Sequence, residues 1–145
     1  MSAHIDRFIH DRLPTRDQWP TLRYDLPELQ LPSQLNLVEE LLDNATARGW
    51  DDRPMLRSAN LVLTYAQSRE RVNRIAQLLT QVHGLVPGNR VLLRGGNSIG
   101  MALAWLAVVK AGLVAVATMP LLRAQELGHI IEVAQPTLAL CDAKL

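Results

Sequence analysis

The chain has 145 residues, of which 48% are hydrophobic, and its 15 basic and 14 acidic residues leave a formal net charge of +1. The length suits one domain, and the apolar content excludes a disordered chain. The near-neutral charge excludes the long-range field that would attract nucleic acid or an anionic membrane. A single cysteine excludes an internal disulfide, so we expect a reducing, cytoplasmic location.

Residues 1–34 lack the regular spacing of a long helix. Four prolines interrupt this stretch, at Pro14, Pro20, Pro27 and Pro32. Apolar side chains lie between the prolines, and they predict an irregular arm that docks onto the body of the protein. No apolar run typical of a signal peptide occurs in the first residues, so we expect no export signal.

A regular pattern begins after the arm. Asn36 followed by Glu39 is typical of a capping box, and the apolar residues that follow fall on one face of a helix. Gly49 is a typical stop signal. The pattern therefore predicts a helix over residues 36–48.

The next stretch predicts a hairpin and a second helix. Two short apolar runs, residues 55–57 and 61–63, have the spacing of a β-hairpin. Thr64 with Gln67 forms a second capping-box pattern, and helical spacing of apolar residues continues to Gly84.

Short strands and helical stretches then alternate. The pattern predicts strands at 90–94, 113–118 and 137–141 and helices at 98–111 and 124–134. The strands lack polar alternation, which predicts a parallel sheet buried on both faces. Right-handed crossovers make this a three-layer βαβαβ unit. The predicted fold is therefore α/β, a βαβαβ parallel-sheet unit with a short β-hairpin and an irregular N-terminal arm.

Residues 99–119 are long and apolar enough to be weighed as a membrane span. Lys110 lies at the centre of this segment and Gly112 follows closely, which favours a buried helix that ends before a buried strand. We therefore expect no membrane partner.

The loop at residues 94–100 is the natural place for a phosphate-binding motif, because it joins a strand to a helix. It lacks the Gly-x-Gly-x-x-Gly spacing of dinucleotide-binding proteins. Two of its glycines have the spacing of a P-loop, but Met101 and Ala102 follow where Lys and Ser or Thr are required. The loop is therefore interpreted as a tight turn with Asn97 as the helix N-cap.

Other polar residues offer no reaction centre. Asp142 follows the last strand, where a ribose-binding or catalytic carboxylate could lie, but a turn residue is the simpler interpretation. Cys141 is interpreted as a small buried hydrophobe rather than a nucleophile. The four histidines are far apart and lack the spacing of metal ligands: His4, His10, His83 and His129. No catalytic residue or metal ligand is predicted from the residues alone.

Four strings, in order along the chain, resemble the N-terminal part of the adenylate-forming (AMP-binding) acyl-CoA synthetase superfamily. Residues 63–76 begin L-T-Y-A-Q and end R-V-N-R-I-A, similar to the family's L-T-Y-x-E-L and R-V-N-R-L-A. Residues 85–91 (L-V-P-G-N-R-V) resemble G-V-x-P-G-D-R-V. Residues 109–112 (V-K-A-G) resemble L-K-A-G, and 122–127 (L-R-A-Q-E-L) resemble R-L-x-x-x-E-L.

Further strings are most similar to benzoate- and 2-aminobenzoate-CoA ligases, at residues 18–20, 25–29, 92–95 and 117–123. This resemblance implies an arm at 1–34 and part of a large AMP-binding domain at 35–145. It implies a parent enzyme that joins a small aromatic or other carboxylate to CoA through an acyl-adenylate, releasing AMP and pyrophosphate. ATP, Mg²⁺ and CoA are the implied cofactors.

The resemblance carries no catalytic residue onto this chain. The family's phosphate loop and catalytic lysine lie beyond Leu145, so we expect an inactive fragment that binds no cofactor alone. Some CoA ligases place an arginine just after the proline that follows the second core motif, where it meets a CoA phosphate. Leu121 holds that position here, and Arg123, two residues on, is the candidate CoA contact; a solvated arginine at a helix start is the alternative.

Two other hypotheses stay open. One is a free-standing nucleotide-binding module that uses the strand ends near Gly95, Met119 and Asp142. The other is a self-associating interaction protein, because an exposed sheet edge or helix face could form a homo-oligomer. Neither hypothesis involves nucleic acid.

Overall fold

A computed structural model describes residues 3–145. The elements along this part of the chain are β1 (Pro54–Arg57), β2 (Val62–Thr64), α1 (Tyr65–Gln77), β3 (Arg90–Arg94), α2 (Ile99–Lys110), β4 (Val114–Thr118), α3 (Ala124–Ala134) and β5 (Leu138–Cys141). Strands β1 and β2 pair antiparallel, and β3, β4 and β5 form a parallel sheet of order β4-β3-β5. The predicted α/β class, hairpin and βαβαβ unit are confirmed.

The strand order explains the three layers. The chain moves from β3 to one side to form β4, and then crosses β3 to form β5 on the other side. Because such crossovers are right-handed, α2 and α3 lie on opposite faces of the sheet. Helix α2 packs against α1, β3 and β4. Helix α3 carries a half-buried stripe at helical spacing, made of Leu127, Ile130 and Ala134.

The core lies on the face of the sheet that α2 covers. One cluster joins α1 to α2 and includes the fully buried Val72 and Ala107. A second cluster joins α2 to the sheet and includes Val91, Leu93 and Val108, which are at most 1% exposed. Burying one such side chain contributes roughly 1.5–3 kcal/mol. This face therefore fixes β3 as the centre of the fold.

The two long helices of the core begin at side-chain caps. Thr64 Oγ1 accepts a hydrogen bond from Gln67 N at 3.3 Å, and Gln67 Oε1 accepts one from Thr64 N at 3.1 Å, so this capping box is confirmed. Ser98 caps α2 by accepting from Met101 N at 3.1 Å. The expectation that Asn97 is this cap is wrong, because Ser98 has the extended backbone of an N-cap directly before the first helical residue.

The predicted helix over residues 36–48 is also wrong in length. Asn36 does accept hydrogen bonds from the next turn, but the chain then forms one wide turn at Glu39–Asp43. Asn36 Nδ2 donates to the Lys110 carbonyl at 3.0 Å, and Lys110 Nζ pairs with Asp43 at 2.7 Å. These ties to the end of α2 hold both ends of the segment, so its conformation follows contacts distant in sequence rather than local helix spacing.

Helix α2 ends at Lys110, and β4 follows after a turn with Gly112 at φ +71°. The predicted succession of helix and strand within residues 99–119 is confirmed. Within residues 3–145, no helix combines the length and the hydropathy needed to cross a bilayer.

The sheet was predicted to be buried on both faces, but among the three parallel strands only β3 is buried in this way. Its first four residues, Arg90 to Leu93, are all buried. Strand β5 is an edge strand in which Leu138 and Leu140 are half-buried while Cys141 is exposed. The interpretation of Cys141 as a buried hydrophobe is therefore wrong, because Cys141 is exposed at the end of an edge strand.

The N-terminal arm is irregular, as predicted, but the apolar side chains between its prolines do not dock. Every residue from 11 to 35 is exposed, and three of the apolar ones, Leu22, Leu26 and Leu31, are at least 60% exposed. The attachment lies earlier in the chain, where two backbone N–H groups of residues 5 and 6 donate to Pro87 O at 2.9 Å. A short polar contact rather than an apolar strap therefore joins the arm to the body.

Candidate functional site

The carboxyl ends of the three parallel strands meet at one edge of the sheet. Arg94, Thr118 and Cys141 stand in register there as the last residues of β3, β4 and β5. In open α/β sheets, ligands bind outside this edge, on the loops that leave the strands. The residues near Gly95, Met119 and Asp142 are therefore brought together, as expected for strand ends.

Arg94 ties the loop after β4 to the end of β3. Its Nη2 donates to the carbonyl groups of Pro120 and Leu122, each at 3.2 Å. Thr118 Oγ1 adds a hydrogen bond to Leu93 O at 3.1 Å. These contacts fix the backbone that leads directly into Arg123.

Arg123 occupies the N-cap position of α3. Its backbone N–H donates to Glu126 Oε2 at 2.7 Å. Its side chain is exposed and forms no ion pair with any residue from 3 to 145. Leu121, which holds the position that the family resemblance gives to an arginine, is 82% exposed. The loop therefore presents one unpaired guanidinium that a phosphate group could contact.

The turn after β3 packs closely against its neighbours. A Cβ at Gly95 would collide with Met101 Cε and would lie 3.5 Å from Asp142 Cβ. Asp142 N donates to Arg94 O at 2.8 Å, and the Asp142 carboxylate accepts from Lys144 N at 3.0 Å. The interpretation of Asp142 as a turn residue is confirmed.

Two clefts flank the start of α2 at this edge. One, of about 240 Å³, is lined by Ser98, Gly100, Met101, Ala104, Leu140, Cys141 and Asp142. The other, of about 320 Å³, lies toward the hairpin and is lined by Leu56, Arg57, Ser58, Asn97, Ser98, Ile99 and Ala102.

A larger cleft, of about 590 Å³, lies at the opposite edge of the sheet. Two of its polar lining residues are already engaged, because Asn36 donates to the Lys110 carbonyl and Lys110 pairs with Asp43. We therefore place the candidate site at the carboxyl edge.

Residues 3–145 contain no group of three or more His, Cys, Asp or Glu side chains placed to hold a metal ion. The rings of His4 and His10 do meet, with centroids 5.6 Å apart, so the expectation that the histidines are far apart is wrong for this pair. Residues 3–145 therefore form no Mg²⁺ site made of three or more such side chains.

The AMP-binding enzyme family matches residues 43–145. The chain belongs to this family. The salicyl-AMP ligase / salicyl-S-ArCP synthetase of Mycobacterium tuberculosis is 38% identical over 105 residues, which cover 69% of this chain and 18% of that protein. A long-chain-fatty-acid–CoA ligase of Yersinia pestis is 31% identical over 105 residues, 72% of this chain and 18% of that protein.

A solved structure shows the same fold. The anthranilate CoA ligase in complex with anthranoyl-AMP superposes with a TM-score of 0.72 at 22% identity, over 79% of this chain and 22% of that one. The chain spans about a fifth of the length of the curated relatives that it matches. The resemblance to the N-terminal part of adenylate-forming enzymes is confirmed.

Sequence reasoning missed the two arginines that organise the sheet edges. Arg90 is buried at the start of β3, and Arg94 holds a loop at its end. The signal was present in residues 90–94 (R-V-L-L-R), where an arginine stands at each end of an otherwise apolar strand.

Proposed function

We propose that this chain is the N-terminal part of an ATP-dependent aryl- or acyl-CoA ligase. The ligase joins a carboxylate to CoA through an acyl-adenylate and releases pyrophosphate and then AMP. The observation that carries the proposal is the family match over residues 43–145, which includes every helix and strand of the three-layer unit. In this proposal residues 1–34 form an arm and 35–145 form part of the AMP-binding domain.

The proposed substrate class is a small aromatic acid. The M. tuberculosis relative is named for a salicyl group, and the anthranilate CoA ligase shares the fold. The strings at residues 92–95 and 117–123 support the same class by resemblance. A long-chain fatty acid is the competing class, since the Y. pestis relative is named for one.

The test uses the whole protein encoded by the reading frame that contains this segment. ATP–pyrophosphate exchange is measured with benzoate, 2-aminobenzoate, salicylate and palmitate, followed by thioester formation with CoA. We expect exchange with at least one aromatic acid. Exchange with palmitate alone would overturn the aromatic proposal, and no exchange with any acid would overturn the ligase proposal.

The 145-residue chain alone serves as the second arm of this experiment. We propose that it lacks the residues for catalysis, because within residues 3–145 the candidate site offers no metal ligand set and the family's phosphate loop is not among its strings. Exchange is therefore expected at the background rate. A rate above background with any of the four acids would show that the segment is sufficient.

Arg123 is proposed to contact a phosphate of CoA. An Arg123→Ala change in the whole enzyme removes one charge-assisted contact, so we expect the apparent KM for CoA to rise roughly tenfold, with the KM for ATP unchanged. Arg71→Ala is the matched control, since Arg71 is an exposed arginine on α1. An unaltered KM for CoA would reject this role.

Self-association is a second candidate function, which exposed apolar side chains favour. Four large apolar side chains around β4 and α3 are 46–82% exposed: Met119, Leu121, Ile131 and Val133. Exposed apolar surface of this kind is typical of an interface. Sedimentation velocity over a hundredfold concentration range tests it, and a monomer at every concentration would reject a homo-oligomer.

The proposed ligase works where ATP and CoA are supplied, so we also propose a cytoplasmic location. The single cysteine, Cys141, is exposed and free, which suits a reducing compartment.

A further inference from the structure

We propose that the segment carrying Asp6 and Phe8 is a peptide clasp, held in a carboxylate-binding site that Asn89 and Arg90 form at the amino edge of the sheet. The clasp anchors the N-terminal arm to the body. Nothing in the proposed ligase reaction uses these residues, which lie at the opposite edge from the candidate site.

Arg90 provides the charge of this site. It is 6% exposed, and its Nε and Nη2 donate to the carbonyl groups of Ala134 and Gln135 at 2.9 and 2.8 Å. Its Nη1 pairs with the Asp6 carboxylate, and the Phe8 ring covers the guanidinium with its centroid 3.9 Å away. A buried cation requires a counter-charge. Asp6 supplies it.

The turn before β3 is shaped to receive the backbone of the clasp. Asn89 N donates to Val86 O at 3.0 Å, and Gly88 has φ +93°, as in a type II turn with Pro87 at its second position. A Cβ at Gly88 would collide with the carbonyl oxygen of Asp6. Because glycine stands there, the backbone of the clasp approaches closely enough to hydrogen-bond with Pro87 O.

Asn89 makes the site accept a carboxylate. Its Nδ2 donates to Asp6 Oδ2 at 2.8 Å, while its Oδ1 accepts from Val86 N at 3.0 Å. The family string that residues 85–91 resemble has an aspartate at this position. An aspartate would keep the acceptor for Val86 but would place a second carboxylate within hydrogen-bond distance of Asp6, and the like charges would repel.

A third donor orients the Asp6 side chain within the clasp. Phe8 N donates to Asp6 Oδ1 at 2.9 Å, so both oxygens of this carboxylate are engaged. The same hydrogen bond, together with that from Asn89, lowers the pKa of Asp6 below its ordinary value against the opposing effect of burial. Asp6 is therefore ionised at neutral pH, as the site requires.

The test measures solvent exchange of the backbone amides of residues 5, 6 and 8 by NMR in the full 145-residue chain. We expect Asp6→Asn and Asn89→Asp each to speed this exchange at least tenfold, with the amides of β3 unaffected. Asp11→Asn is the matched control, because Asp11 lies in the same segment, is exposed and pairs with Arg7 alone among residues 3–145. Exchange rates equal to those of the control would overturn the clasp.

The double variant tests the direct contact. If Asp6 and Asn89 touch as proposed, combining Asp6→Asn with Asn89→Asp removes the repulsion between two carboxylates. The fold increase in exchange rate of the double variant should then be smaller than the product of the two single fold increases. Purely multiplicative effects would overturn the pairing. Phe8→Leu, which removes the ring over Arg90 and leaves all charges, is expected to speed the same exchange about threefold, and no change would remove Phe8 from the clasp.

Discussion

The two edges of the parallel sheet carry the same residue type in opposite settings. At the amino edge, Arg90 is 6% exposed, paired with Asp6 and bonded to two carbonyl groups at the end of α3. At the carboxyl edge, Arg94 is half-buried and donates to two loop carbonyls, and its Nε has no partner within residues 3–145.

The difference separates an edge that stabilises the fold from the edge where we place the candidate site. At the amino edge, Arg90 is covered by a counter-charge, an aromatic ring and a chain segment, and these contacts stabilise the fold. The carboxyl edge is held by hydrogen bonds from the Arg94 and Thr118 side chains to backbone carbonyls, and its loop leaves Leu121 and Arg123 exposed to solvent, as suits the ligand side of a parallel sheet. One strand, β3, therefore connects the contacts around Arg90 to the candidate site.

We expect the largest difference in unfolding free energy between the variants that replace Arg90 and Arg94. Arg90→Met leaves the Asp6 carboxylate without its cation and two part-buried hydrogen bonds to carbonyl groups unmade, so we expect a loss of about 3 kcal/mol of unfolding free energy. Arg94→Met also removes two part-buried hydrogen bonds to carbonyl groups, but it breaks no ion pair among residues 3–145, and about 1 kcal/mol is expected. Urea titrations of both variants against the unchanged chain measure the two losses. Equal losses would contradict the comparison.

Acid should weaken the amino edge selectively. The Phe8 N–H and the Asn89 amide hold the pKa of Asp6 below its ordinary value of 3.8, against burial, with a further contribution from Arg90. Since the folded pKa lies below the unfolded one, this stabilisation is fully present above about pH 5 and is lost as pH falls through 3.8 toward the folded pKa.

Asp6→Asn provides the check on this acid effect. The variant has no carboxylate to protonate at this position, so its stability should fall less steeply between pH 5 and pH 2 than that of the unchanged chain. Thermal midpoints across this range measure the slopes, with Asp11→Asn as the surface control. Parallel curves for all three proteins would rule out the Asp6 contribution.

Local patterns predicted the elements whose cause is local. The Thr64 capping box and the alternation of strand and helix after Gly88 involve neighbours within a few residues, and both appear in the structure. The helix over residues 36–48 was overpredicted because Asn36 and Asp43 bind Lys110, about seventy residues away. A short stretch of sequence cannot include both residues of such a contact.

Burial was the harder quantity to predict, because it depends on what covers a residue. The apolar runs that form β3 and β5 look alike in sequence, yet β3 is central and β5 is at an edge, which leaves Cys141 exposed. The clasp was missed for the same reason: Asp6 and Arg90 are 84 positions apart. At the candidate site, a resemblance in sequence proposed Arg123, whereas the contacts of Arg94 depend on the position of the loop after β4.

The cap of α2 offers a smaller test at the carboxyl edge. Ser98 accepts from Met101 N, so Ser98→Ala should lower the unfolding free energy by about 1 kcal/mol. The neighbouring Asn97 is exposed and caps nothing, so Asn97→Ala should change it by less than about 0.5 kcal/mol. Urea titration distinguishes the two, and the reverse order would restore Asn97 as the cap.

We expect the smallest effect on stability from replacing two adjacent glycines at the same edge, Gly95 and Gly96, by alanine. Neither has a positive φ, so alanine is tolerated by the backbone at both positions. At Gly96 a Cβ would meet open space, and alanine should stabilise the chain by about 0.5 kcal/mol because it restricts the unfolded state. At Gly95 the same gain is offset, since the Cβ would displace the end of the Met101 side chain in the 240 Å³ cleft.

Differential scanning calorimetry of Gly95→Ala and Gly96→Ala measures this pair. A higher midpoint for Gly96→Ala than for Gly95→Ala would show that the carboxyl edge is packed beside β5 and open on the outer side of the turn, where a ligand would approach. Equal midpoints would mean that Met101 moves freely, so the cleft beside Gly95 would be as open as the solvent side. The comparison between an amino edge held by the clasp and a carboxyl edge with a shaped cleft beside Gly95 depends on that difference.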